Sequence, residues 1–233
     1  MIIISGEYLH LADRIKTVSN DDIVLSQKNP YLPKPVAYHP EMQFLDFGET
    51  VFVLPGSEYL EPLFKSTGRK VVYTAKPSDR YPHDVLCNAK IAGHGFFCNT
   101  KTIDRAVLQY ATASGLDIIN VKQGYTGCSI LKLNNNAILT SDRTIATKAS
   151  ENGYRALFVN TDGITLAGYN CGFIGGSGGI VDNRLVLTGK ADPEIRAFAE
   201  RESLGITELT GERLFDVGGV IQCGMRSAEF RII

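Results

Sequence analysis

The chain lacks almost everything that would mark a charged-polymer or membrane partner. Lys and Arg total 24 against 25 Asp and Glu, for a net charge of −1, and no run of like charge occurs. Nucleic acids and acidic membranes require a clustered basic surface, so neither is expected as a partner. Long hydrophobic runs are also missing. The apolar start Met1–Ile4 is too short for a signal peptide and far too short to span a bilayer. A cytoplasmic protein is the expectation. The five cysteines are an odd number and lack the paired spacing of a zinc site. Reduced thiols are therefore expected, with no metal and no other cofactor. A chain of 233 residues buries enough surface to fold without staples. Its 44% apolar and 21% charged residues are ordinary for one globular domain spanning 1–233.

What the chain does have is a repeat. Four segments share one order: an apolar hairpin, a Ser, Thr or Asp, a short helix closed by Gly, and a β-rich strand. The first takes Gln43–Pro55, a helix from about Ser57, Gly68 and Lys70–Ala75. The second takes Val85–Cys98, a helix from Thr100, Gly115 and Leu116–Val121. The third takes Gly127–Thr140, a helix from Ser141, Gly153 and Tyr154–Asn160. The fourth takes Gly168–Thr188, a helix from Asp192, Gly205 and Ile206–Leu209. Asp192-Pro193-Glu194 reads as an N-cap, a first-turn proline and an acid facing the positive helix end. Gly68, Gly115, Gly153 and Gly205 read as left-handed helix stops. Asn134-Asn135-Asn136 and Asp182-Asn183 read as tight hairpin turns.

A fifth hairpin, Val217–Ile233, has no helix after it, and Met1–Leu25 has a strand but no hairpin of its own. The two ends are therefore expected to meet and complete a fifth unit, which removes the exposed edges of an open array. The fold class that follows is α/β: a closed ring of five ββαβ units, a five-bladed propeller with pseudo-fivefold symmetry around a narrow channel. Gln27–Pro40, with four prolines, is expected to be an extended connector.

Cys87, Cys128, Cys171 and Cys223 keep step with the repeat, at spacings of 41, 43 and 52 residues. Small side chains near a crowded axis account for that register, since Cys is among the most often buried residues. Cys223 has one further property, the Gly-rich approach Gly218-Gly219-Val220-Ile221-Gln222-Cys223. In this motif and its place in the last ribbon the chain resembles the guanidino-group-modifying enzymes, the pentein superfamily. That superfamily includes arginine and agmatine deiminases, dimethylarginine dimethylaminohydrolases and amidinotransferases. The resemblance covers about residues 40–233.

The resemblance implies a small guanidino or amidine ligand in the channel and a set of site residues. Chemistry on a guanidinium needs carboxylates to hold the cation, a thiolate to attack it, and an acid/base to move protons. Cys223 would be the nucleophile. Asp46, in Gln43-Phe44-Leu45-Asp46, would grip the cation, and Asp84, in Pro82-His83-Asp84-Val85, would be the second acid. Each Asp could equally cap a strand or turn. The family's histidine position holds Gln123, which can hydrogen-bond a ligand but cannot exchange a proton near neutral pH. His83 is the substitute base, and Arg226 either meets a ligand carboxylate or faces solvent. With the histidine replaced, two readings stand: a Cys-dependent amidinohydrolase or amidinotransferase, and a binding protein on the same scaffold without turnover. Gly175-Gly176-Ser177-Gly178-Gly179 has no Lys or helix after it to bind phosphate, and reads as a flexible link.

Overall fold

A computed structural model describes residues 1–224. β1 (Ile2–Ser5), α1 (Leu9–Ile15) and β2 (Ile23–Ser26) open the chain. Four units of identical order follow. β3 (Phe44–Asp46), β4 (Thr50–Val53), α2 (Leu60–Ser66) and β5 (Lys70–Tyr73) form the first. β6 (Lys90–Ala92), β7 (Gly95–Cys98), α3 (Arg105–Ala113) and β8 (Asp117–Asn120) form the second. β9 (Ile130–Asn134), β10 (Ala137–Thr140), α4 (Arg143–Glu151) and β11 (Arg155–Phe158) form the third. β12 (Gly178–Val181), β13 (Arg184–Leu187), α5 (Pro193–Arg201) and β14 (Gly205–Glu208) form the fourth, and β15 (Ile221–Gln222) ends the described chain.

Each unit makes a three-stranded sheet whose first two strands pair antiparallel and whose helix returns the chain to a parallel third strand. The fifth sheet is built from both ends. β15 pairs antiparallel with β1, Ile3 opposite Ile221, and β1 pairs parallel with β2. The expected closure is thus the observed one; of the expected fifth hairpin, the strand β15 pairs with β1, and 225–233 lie outside the described residues. The inner strands lie side by side, β6 next to β9, β9 next to β12 and β12 next to β15.

Burial explains the composition of each strand. The middle strands β1, β4, β7 and β10 are buried along their whole length, while the outer strands are only half covered. A strand covered on both faces reads as an unbroken apolar run, as in Ile2-Ile3-Ile4 and Gly95-Phe96-Phe97-Cys98. Because side chains alternate, each middle strand feeds two cores. Phe96 packs with Phe52 and Leu54 of the preceding unit, and Phe97 with Ile138 and Ile145 of the following one. Ile3 likewise joins Phe44 and Phe64, and Ile2 and Ile4 join Val181 and Val186. There is one apolar cluster at each of the five interfaces between neighbouring units.

Five local expectations are corrected. The helices of the second and third units are capped by Asp104 and Asp142, whose side chains accept first-turn N–H groups, not by Thr100 and Ser141. Asp192 precedes its helix but is exposed to water and makes no capping bond. Ser203 (φ 59°), not Gly205, takes the left-handed position after α5, whereas Gly68, Gly115 and Gly153 do adopt it. Asn135 and Asn136 keep negative φ; that turn is closed by the Asn134 side chain accepting from Asn136 N–H at 2.9 Å. The glycine run 175–179 is no flexible link either. A Cβ on Gly175 would lie 2.4 Å from the Cys128 carbonyl oxygen, and one on Gly176 1.8 Å from Asp216 Oδ1. Glycine is there because five units converge and backbone meets backbone.

Candidate functional site

The inner strands are entered through short turns, Pro40–Gln43, Thr126–Ser129 and Ile174–Ser177, together with the glycine-rich stretch 216–220. These turns close one end of the hub and bring several polar side chains into it. Asn88 is pinned there: its Oδ1 accepts from Gly127 N–H at 2.6 Å, and its Nδ2 faces Cys128 Sγ at 3.1 Å and Met42 Sδ at 3.0 Å. Beside them lie His39, Glu41 and Asp216, all almost fully buried. Nδ1 of His39 is 3.4 Å from Glu41 Oε1 and 3.6 Å from Asp216 Oδ1. Burial opposes charge on His39, but Glu41 and then Asp216 outweigh it and raise its pKa. Burial similarly pushes Asp216 up to about 6. The Cys128 thiol is pushed far up, by burial first and by Glu41 and Asp216 next.

A second cluster surrounds Asp84. This carboxylate is 1% exposed; its Oδ2 accepts the Tyr125 hydroxyl, and its buried Oδ1 has no hydrogen-bond partner. Tyr125 stacks between Tyr81 and Phe173, with ring centroids 6.0 Å and 6.5 Å away. The charge of Asp84 bears on both Tyr125 and Tyr169, whose hydroxyls burial already pushes up. Tyr81 and Tyr169 are about half exposed, so the cluster reaches the surface. Gln123 belongs to this end: its Oε1 accepts Tyr125 N–H at 3.0 Å, orienting the loop that carries the tyrosine. His83 is exposed and makes no ion pair with Asp84 among the described residues.

Cys223 and Asp46 lie together elsewhere, where the fifth unit meets the first. Cys223 is 4% exposed and packs with Ile3, Phe44, Val51 and Phe64. Asp46 is next to its thiol but is held by Arg69, Nη1 to Oδ2 at 2.9 Å, and Arg69 also donates to the Gly224 carbonyl. Burial, then Asp46, pushes the Cys223 thiol up to about 12, the opposite of an activated nucleophile. The site residues read from the sequence therefore fall into two groups, Asp84 with Gln123 and Cys223 with Asp46. Arg226 lies outside the described residues.

From the hairpin-turn side a cavity of about 540 Å³ runs along the inner strands, past Asn134, Asn135 and Asn183, down to Glu41, Lys90, Gly175 and Gly219. Sequence reasoning passed over His39, Glu41, Asp216 and Tyr125. The signal available was positional: His39 and Glu41 flank Pro40 just before an inner strand, and Asp216 precedes the Gly218-Gly219 pair.

With this geometry the chain can be set beside known proteins. No curated protein matches it by sequence. Among solved structures, dimethylarginine dimethylaminohydrolase from Pseudomonas aeruginosa, a point mutant complexed with citrulline, superposes with a TM-score of 0.58 at 13% identity, covering 89% of this chain and 90% of that one. AgrE, in a ternary complex with ornithine and NAD+, gives 0.54 at 15% identity over 92% of this chain and 33% of that one. ArgZ, an arginine dihydrolase of cyanobacteria, gives 0.51 at 11% identity over 89% and 36%. The fold is the pentein fold of guanidino-modifying enzymes, in a divergent form. Within it, this chain belongs to the family of unknown function DUF6873, whose model matches residues 3–221. No helix among the described residues is long and apolar enough to cross a membrane.

Proposed function

We propose that the chain binds a small cationic guanidino or amidine compound at the Asp84 end of the hub, without turnover at Cys223. The observation that carries this reading is Asp84 Oδ1, a buried carboxylate oxygen with no donor, set among aromatic rings. Leaving such an acceptor unpaired costs about 1–3 kcal/mol, more for a charged group. A planar cation would supply the missing N–H donors as charge-assisted bonds and lay its face on the rings of Tyr125 and Tyr81. Tyr81, whose ring covers Gly124 and is 53% exposed, would swing aside to admit it. The solved relatives include structures with citrulline and ornithine, molecules of the same size class. The thiol at Cys223, sealed and raised in pKa, favours binding over Cys223-dependent hydrolysis or amidino transfer.

The test is a calorimetric and thermal-shift survey with arginine, agmatine and N-methylated arginines. At about 100 times Kd a ligand adds about 2.7 kcal/mol of stability, about 5–10 °C in Tm for a domain of this size. Asp84→Asn should abolish the shift and Cys223→Ser should keep it, with no citrulline or urea released. Absence of any shift across the whole series rejects the reading.

A further inference from the structure

His39, Glu41 and Asp216 form a cluster that guanidino binding at Asp84 leaves unused. Each offers one donor atom, and these three atoms lie within 4.8 Å of one another. All three residues are at most 6% exposed. Two carboxylates buried at this spacing repel unless a cation lies between them. His39 answers that repulsion only in part: its Nδ1 lies within ion-pair range of both acids, at 3.4 Å and 3.6 Å, but beyond the 2.7–3.2 Å of N–H···O bonds. His39 Nδ1 and both oxygens of Glu41 are buried with no hydrogen-bond partner. The two spacings to His39 instead fit donors arranged around an ion. Metal–nitrogen and metal–oxygen bonds of 2.0–2.2 Å at tetrahedral angles put neighbouring ligands about 3.3–3.6 Å apart.

We propose that His39 Nδ1, Glu41 and Asp216 bind one divalent transition-metal ion of the zinc, cobalt or manganese class at the hub of the ring. The donor set, one imidazole and two carboxylates, suits such ions better than the all-oxygen shells of calcium or magnesium. The surroundings are built to hold it. Asp216 is fixed by two backbone donors, Gly218 N–H to Oδ1 at 3.0 Å and Phe173 N–H to Oδ2 at 2.9 Å, the outer contacts that orient metal ligands. Side chains are excluded around it. A Cβ on Gly218 would fall 2.6 Å from Glu41 Oε2, and one on Gly176 would overlap Asp216 Oδ1. Three protein ligands leave a fourth position open, and Glu41 also lines the 540 Å³ cavity.

The test is metal titration of chelator-treated, dialysed full-length protein with Zn²⁺, Co²⁺ and Mn²⁺, in buffer without any guanidino compound, so that it stands apart from the Asp84 reading. One ion per chain is expected. The Co²⁺ form should show visible bands of a four-coordinate nitrogen/oxygen site and no near-ultraviolet cobalt–thiolate band. His39→Gln and Asp216→Asn should each weaken binding at least 100-fold, and Cys98→Ser should leave it unchanged. Failure to bind a stoichiometric ion, an intense thiolate band, or binding indifferent to His39→Gln would each overturn the proposal. The wild-type cobalt spectrum decides the matter even if the variants do not fold.

Discussion

Cys223 shows how a single residue's surroundings overrule its motif. Its thiol is pushed up to about 12 by burial and by Asp46, so at pH 8 it stays protonated, whereas an ordinary free thiol is partly ionised. Iodoacetamide should therefore label the partly exposed Cys171 first and Cys223 at least 10²-fold more slowly, as followed by peptide mass spectrometry. Equal rates would show that the ribbon opens far more readily than its packing implies. Glu202 supplies a pH prediction. Arg155 grips it through Nε and Nη2, each at 2.6 Å, and Asn134 adds a third bond, which holds its carboxyl below the usual range. A depressed folded pKa means stability present above the unfolded value near 4.3 and lost as pH falls through the folded one. Tm curves of wild type and Glu202→Gln should thus separate near neutrality and converge in acid. At this scale the sequence reveals which residues are unusual but not their neighbours. Arg69, which pairs with Asp46, comes from the link just before β5, 23 residues later, and no motif joins the two.

At the level of elements, the helix starts separate local chemistry from context. Asp142 accepts from Thr144 N–H at 2.7 Å and Ile145 N–H at 3.1 Å, and Asp142→Ala should cost about 1 kcal/mol. Asp104 does more, since its second oxygen also accepts Ala75 N–H at 2.9 Å and ties the helix to the preceding unit. Asp104→Ala should cost about 2 kcal/mol, because the charge-assisted bond to Ala75 N–H is lost along with the cap. Asp192, with no capping bond, should tolerate alanine within about 0.5 kcal/mol. Urea denaturation of the three variants checks that ranking. The sequence alone inverts it, because Asp192-Pro193-Glu194 carries the strongest local signal. Hairpins, helices and parallel returns were legible from alternation and glycine stops. The caps were not, since a cap depends on which side-chain rotamer the neighbouring unit leaves open. The short turns that enter the hub were not legible either, being too brief for any period to register.

For the whole molecule, the ring was readable because a strand without a hairpin at one end and a hairpin without a helix at the other have a single economical solution. Its centre was not. His39 and Asp216 are separated by most of the chain, and only closure brings them within 3.6 Å. Closure also determines how the protein should unfold. In an open repeat array each unit touches only its neighbours, and long arrays lose cooperativity. Here every middle strand serves two cores and the last interface joins residue 3 to residue 223, so no terminal unit exists to fray. Ile3 is the sensitive position: it is fully buried, paired to Ile221 and packed on Phe44 and Phe64. Ile3→Ala should cost about 2–5 kcal/mol by deleting buried methyl groups and leaving a cavity. The cost should appear as a downward shift of one cooperative transition, with far-ultraviolet circular dichroism and tyrosine fluorescence coinciding. A separate early transition confined to the joined ends would mean that β15 and β1 form a detachable clasp and that the other four units stand without it.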